Sequence, residues 1–281
     1  MSLLFDSFWR AVAYCLHPRV IGLSLLPLVL LILAAGGLGY FFWDDAVNGV
    51  FLWLESSEWL AGFTRWLQDM GMAGLKNALA PLLIIFAVTP LLVIVVLLIV
   101  ALLMTPALVN LVGRRRFPAL ERRHGASFLR GALWSVGSIL LAVVALVVSL
   151  PLWLIPPLIL LLPPLIWGWL TYRVMTFDAL ADHASADERR RVFRGHRSSL
   201  LLMGIATGYL GAAPSVVWAS GWFFAAAFPI LIPVAIWIYT LVFAFSSLWF
   251  THYCLAALEQ LRQAEHAAAE VPAFVEPQLL P

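Results

Sequence analysis

Long apolar runs alternate with short polar segments along the chain. The first run, Val20 to Trp43, closes on Tyr40, Phe41, Phe42 and Trp43 and is followed by Asp44 and Asp45. About 20 apolar residues suffice for one membrane crossing, and aromatic residues followed by acids mark the water interface. The second run, Ala78 to Val112, is too long for one crossing and short for two. With Thr89-Pro90 inside it and Thr105-Pro106 near its end, it predicts one long helix, tilted or kinked, whose end projects beyond the bilayer. The third, Gly131 to Leu170, is broken by Pro151, Pro156 and Pro157 and predicts a helical hairpin, with Pro163 and Pro164 interrupting its second arm. The fourth, Leu200 to Phe250, predicts another hairpin turning near Pro214 to Gly221, its last helix continuing through Cys254 and Leu258 into water. The pattern fits six crossings as well as two crossings with two re-entrant hairpins.

The shorter segments read differently. Phe5, Phe8, Trp9, Val12 and Leu16 share one helical face, with Asp6, Arg10 and His17 on another, so a short interfacial helix is predicted over about 3–17. In 44–77, Trp59, Phe63, Trp66 and Met70 recur at helical spacing, with Glu58, Arg65 and Asp69 on another side. This predicts an amphipathic helix, either at the membrane interface or packed on the protein. The expected fold is an all-α integral membrane protein with 4–6 membrane segments: long transmembrane helices plus proline-broken hairpins. It forms a single polytopic domain over 1–262, with membrane segments at about 20–43, 78–112, 131–170 and 200–257. A loose tail is expected over 263–281.

Composition agrees with this pattern. Of 281 residues, 63% are hydrophobic and 11% charged, with mean hydropathy +0.96. Soluble domains carry about 25% charged residues, so a water-soluble enzyme and a disordered chain are both excluded. A membrane β-barrel would alternate in short strands. Twelve of the 17 basic residues lie in 113–130 and 171–199. By the positive-inside rule both segments, expected as loops, face the cytoplasm. The 44–77 segment then lies outside and both termini inside. Ser185-x-x-Glu188 is a capping-box pattern opening a basic run, Arg189 to Arg197. Such a run anchors on anionic lipid head groups. Arginines beside membrane spans are ordinary, so no nucleic-acid partner is expected. Cys15 and Cys254 lie in apolar helical sequence and read as buried thiols. The N-terminus lacks the basic region and small-residue cleavage site of a signal peptide.

Catalytic signatures are missing: the sequence holds no Walker A motif, G-x-G-x-x-G, H-E-x-x-H or G-x-S-x-G. The apolar spans carry no Asp, Glu, Lys or Arg at mid-depth, where pumps and voltage sensors place them. No enzyme activity and no cofactor are expected. Asp178, Asp182 and His183 stand at helical spacing but lack further ligands, so no metal is expected. Gly36, Gly37 and Gly39, and the G-x-x-x-G of Gly204 and Gly208, serve either close helix packing or a backbone-lined path.

The passage Phe8-Trp9-Arg10-Ala11 … His17-Pro18-Arg19-Val20-Ile21-Gly22-Leu23-Ser24-Leu25-Leu26-Pro27, whose two prolines stand nine positions apart, resembles the opening of the CysZ family of bacterial sulfate permeases, within the etoposide-induced-protein domain family. Thr171-Tyr172-Arg173-Val174-Met175-Thr176-Phe177-Asp178 through Ser185 is similar to that family's aromatic and acidic segment after the first hairpin. The resemblance covers most of residues 5–260. It implies long membrane helices with partly penetrating hairpins, a homo-oligomer, and channel-like uptake of a small inorganic anion, sulfate. It also implies a bacterial inner-membrane location and an anion site at the start of the first membrane helix, here Arg19, Val20, Ile21 and Gly22, where the unpaired first-turn N–H groups of Val20, Ile21 and Gly22 are expected to be free for the anion. The family's Gly-Leu positions hold Arg19 and Val20, and its two arginine positions hold Ile21 and Gly22, which makes this a divergent member. The expected function is an anion channel or permease. The rival expectation is a non-transporting membrane scaffold or envelope-biogenesis partner.

Overall fold

The computed structural model describes residues 2–56, 62, 70, 73–219 and 224–270. Among them the regular elements are all helical: α1 (Ser2–Cys15), α2 (Pro18–Ser56), α3 (Ala73–Arg116), α4 (Phe128–Ser149), a 3-10 turn (Leu150–Leu154), α5 (Pro156–Ala181), α6 (Ala186–Gly195), α7 (Arg197–Ala219) and α8 (Phe224–Glu270). Among the described residues five stretches are long and apolar enough to cross a membrane: Pro18–Leu54, Ala78–Arg116, Leu129–Leu154, Pro156–Ala181 and Pro233–Ala268. The chain is an all-α membrane protein. With 39, 44 and 47 residues, α2, α3 and α8 measure about 58, 66 and 70 Å, twice the roughly 30 Å hydrocarbon core. Each therefore carries at least one end beyond the hydrocarbon.

Two compact units form. One combines Met1–Ser24 with Met104–Pro281, and the other is Leu25–Leu103. In the first, α8 is central and touches α1, α5, α6 and α7. Its stretch from Leu248 to Leu258 is buried, with Phe250, Leu255 and Leu258 fully so. The α5 and α7 helices cross most closely where both lack side chains. A Cβ on Gly204 would overlap the Gly168 carbonyl oxygen, and one on Gly208 would sit 2.9 Å from the Pro164 carbonyl oxygen. The G-x-x-x-G thus serves helix packing, with Gly168 as the partner that sequence periodicity did not pick out. On α1, Ser7 and Ala11 are buried and Phe8 packs edge-on against Phe245 and Trp249 at 5.5 and 5.1 Å. Phe5 and Trp9, 60% and 67% exposed, face outward. Docking therefore uses the small-residue side of α1 and leaves two of its aromatic residues free.

Several expectations need correction. Pro163 and Pro164 do not interrupt the second arm, because α5 continues through them to Ala181. The segment 171–199 is not a loop. It holds the end of α5, all of α6 and the start of α7, because Tyr172, Met175, Thr176, Phe177, Ala179 and Leu180 supply a buried helical face. The helix that carries the first apolar run extends past Trp43. No Gly or Pro breaks α2 at the two aspartates, and it continues to Ser56. Similarly α8 reaches Glu270, past residue 263 where the tail was expected. The chain between α4 and α5 turns at the prolines, where Trp153 Nε1 donates to Ser149 Oγ at 3.1 Å. The amphipathic helix expected around Trp59, Phe63 and Trp66, Gly221 at the end of the expected second turn, and the tail after Glu270 lie outside the described residues.

The Leu25–Leu103 unit is built from the rest of α2 and most of α3. Its apolar side chains face outward in number: Ile32 and Phe86 are 71% and 85% exposed, and Leu91, Ile94, Leu98 and Leu102 are also exposed. In water such a surface would be unstable, whereas lipid tails accept it.

Candidate functional site

The first-turn amides of α2 are not free, contrary to expectation. His17 Nδ1 accepts from the Arg19 N–H at 3.1 Å. The His17 carbonyl accepts from Val20 at 2.8 Å and Ile21 at 3.1 Å, and the His17 N–H donates to Tyr14 O at 3.0 Å. Pro18 has no N–H to satisfy. All donors of the turn before Gly22 are thus used within the chain, with His17 as the cap. Val20 is fully buried, while Arg19, Ile21 and Gly22 are exposed. Of the four expected site residues, Arg19 alone offers an exposed charge.

The polar organisation of this unit centres on Glu188. Ser185 and Glu188 form the capping box, Ser185 N–H donating to Glu188 Oε2 at 2.7 Å and Glu188 N–H to Ser185 Oγ at 3.2 Å. The same carboxylate, 1% exposed, accepts from Arg262 Nε at 2.9 Å and Nη2 at 3.2 Å, and from Arg123 Nη1 at 2.8 Å. Burial opposes its charge, but the hydrogen bonds from Arg262 and Ser185 and the Arg262 and Arg123 charges prevail and hold its carboxyl down to about 2. Arg262 also donates from Nη1 to Glu121 O at 2.9 Å and from Nη2 to His183 O at 2.7 Å. One α8 side chain thereby ties the segment after α3 to the turn before α6. Across the same seam the His124 N–H donates to Asp182 O at 3.0 Å, with His124 in the left-handed region at φ 41°. A Cβ on Gly125 would overlap the Ala184 carbonyl oxygen, so only glycine permits that backbone approach.

Beside this seam lies a cavity of about 180 Å³, lined by Gly113, Arg114, Phe117, Leu120, Arg122 and His183 among others. His183 is 1% exposed and its Nδ1 has no hydrogen-bond partner. Its imidazole is shifted below the usual histidine value, by burial first and then by the Arg122 charge, with Asp182 opposing.

A second basic group pairs arginines with aromatic faces. The Arg173 guanidinium lies 4.4 Å from the Trp134 ring and 4.9 Å from Trp169, and Arg189 lies 4.4 Å from Phe177. Arg189 is buried and its Nη1 has no partner. Burial, then the Arg130 and Arg190 charges, lower its pKa. Among the described residues no group of His, Cys, Asp and Glu is placed to hold an ion. Both cysteines are free, Cys254 buried and Cys15 half-buried.

Sequence reasoning read Glu188 only as a cap and missed Arg262. A signal existed: Arg262 is the one arginine of α8 and continues the face of Leu255 and Leu258 by four residues, so it had to be buried with a partner.

Long apolar helices bearing a buried ion-pair node and an arginine-lined cavity define a polytopic membrane protein. The chain belongs to the family described as Sulfate transporter CysZ/Etoposide-induced protein 2.4, whose match covers residues 7–220. No curated protein and no solved structure matches it.

Proposed function

We propose that this chain is an inner-membrane channel or permease for a small inorganic anion, sulfate being the first candidate, and that it is not an enzyme. The family match over 7–220 carries this reading. The absence of mid-span charge in the sequence favours passive passage over a proton-relay pump. The anion meets Arg19 at the head of α2, the exposed cation of the expected site. The basic segments 113–130 and 171–199 and both termini face the cytoplasm, anchored on anionic lipid head groups, and the chain works as a homo-oligomer. The test is radiolabelled sulfate flux into liposomes holding the purified protein. Flux above empty liposomes, reduced in Arg19→Ala, is expected. Flux no higher than empty liposomes for sulfate and related oxyanions would reject transport.

One observation favours a second reading, a non-transporting scaffold. Ile21 and Gly22 stand where the family's two arginines are expected, and His17 already caps Arg19, Val20 and Ile21. Orientation is tested separately, by labelling Ser56→Cys and Ser198→Cys from either side in a background lacking Cys15 and Cys254. Labelling of Ser56→Cys only from the cytoplasmic side would overturn the topology.

A further inference from the structure

The cavity lined by Arg114, Arg122 and His183 has a construction that packing alone does not require. Its walls are held from behind. Arg262 fixes the carbonyls of Glu121 and His183, one beside each wall, while its guanidinium is neutralised by Glu188. Arg262 and Glu188 therefore shape the cavity without contributing to its lining. The lining itself holds two arginines and no carboxylate. Among the described residues neither Arg114 nor Arg122 has a carboxylate within ion-pair distance, whereas the neighbours Arg116 and Arg123 pair with Asp6 and Glu188. The buried His183 ring lies flush against the backbone, since a Cβ on Gly113 would sit 3.0 Å from its Nε2. A neutral imidazole has one N–H and one acceptor nitrogen, and Nδ1 has no partner.

The volume, about 180 Å³, is several times the roughly 30 Å³ share of one water in the liquid. It can take a tetrahedral ion together with water. One feature opposes an anion: the cavity lies at the C-terminal end of α3, where free carbonyls carry partial negative charge. The Gly113 carbonyl is already occupied by the Phe117 N–H at 3.1 Å, and three consecutive arginines, Arg114 to Arg116, offset the rest.

We propose that this cavity binds one tetrahedral oxyanion of the phosphate or sulfate class, as a free ion or as a lipid head group, with Arg114 and Arg122 as charged donors and His183 as the neutral one. None of these residues belongs to the 19–22 turn, and binding here does not depend on transport.

The test uses the full chain with ¹⁵N-labelled histidine, the His183 imidazole signals being assigned with His183→Gln. In neutral detergent, inorganic phosphate and sulfate are titrated. In a second arm, nanodiscs of phosphatidylcholine are compared with nanodiscs containing phosphatidylglycerol. Movement of the His183 signals in the first arm identifies a free ion, and movement only in the second a head group. Either supports the site. Arg122→Gln and Arg114→Gln should each weaken the response by about tenfold or more, the scale of one lost charge-assisted hydrogen bond. Arg115→Gln removes an exposed charge from the same turn without touching the cavity and should change affinity less than about twofold. Both lining arginines are exposed, so these variants should fold, and thermal melts verify it. Silence of His183 in both arms, or an equal loss in Arg115→Gln, overturns the proposal. Because flux is measured in a separate assay, failure of transport and failure of this site remain distinguishable.

Discussion

The two compact units handle charge in opposite ways. Leu25–Leu103 carries two basic and five acidic residues, and the remainder carries fifteen basic and ten acidic. In the first unit α2 and α3 present leucine, isoleucine and phenylalanine outward, so lipid supplies much of their environment. In the other, a buried carboxylate organises two arginines, and two helices meet through bare backbone. Membrane helices can be stabilised by their solvent or by one another. Here the second kind of stabilisation concentrates in the unit that holds the basic segments 113–130 and 171–199.

That contrast can be broken by substitution. The largest effect should come from Glu188→Ala, which leaves Arg262 buried without its partner. Losing one member of a buried pair costs about 3–5 kcal/mol, and thermal unfolding of the detergent-solubilised protein would register it. Asp44→Asn, on the exposed part of α2, should change stability by less than about 0.5 kcal/mol. Comparable losses from both would erase the distinction between the units.

Acid titrates the same carboxylate more gently. Its folded-state pKa is depressed from 4.5 to about 2. The stabilisation is therefore fully present above the ordinary carboxyl value and is lost as pH falls from about 4.5 through about 2. Asp6, also depressed, by its hydrogen bond from Arg10 first, acts in the same direction. Melts across this window should fall more steeply for the parent than for Glu188→Gln. Parallel curves would show that Glu188 is not the titrating anchor.

Smaller again is the glycine comparison. Gly204→Ala puts a methyl group into the Gly168 carbonyl and should destabilise by about 1–3 kcal/mol, the usual cost of overpacking. Gly36→Ala on α2 meets nothing within 4 Å and should be neutral or stabilise by up to about 1 kcal/mol from helix propensity. A destabilising Gly36→Ala would mean that this face of α2 is covered, by a second copy of the chain for instance. Crosslinking at Gly36→Cys would then detect that neighbour. Smallest should be Arg190→Gln. Its pair with Asp187 spans 3.9 Å between exposed side chains, and such pairs contribute less than about 1 kcal/mol.

Much of this molecule was legible in the apolar runs. The helical class, the turn at Pro151 to Pro157, one long helix over Ala78 to Val112, and the capping box at Ser185 all follow from local rules of period, proline placement and end chemistry. The failures are equally physical. Pro163 and Pro164 break hydrogen bonds locally, yet the helix persists with α7 packed against it at Gly208. Residues 171–199 look polar on average, but a helix needs only one apolar face, and Tyr172, Met175 and Leu180 provide it. The first-turn amides of α2 were expected to be free because a histidine one residue before the proline was not counted as a cap.

The sequence by itself determined the solvent. A chain with 63% hydrophobic residues and arginines gathered in two segments can satisfy its backbone in lipid only as long helices or a closed barrel, and the unbroken runs exclude the barrel. Tertiary structure alone decided how the charges are used. Glu188 lies 65 residues from Arg123 and 74 from Arg262, and no local pattern connects them. Whether an arginine ends up neutralised by a carboxylate, stacked on a tryptophan or lining a cavity depends on which helix ends the packing brings together. Coulomb and hydrogen-bond energies act over a few ångströms of space, whatever the separation along the chain.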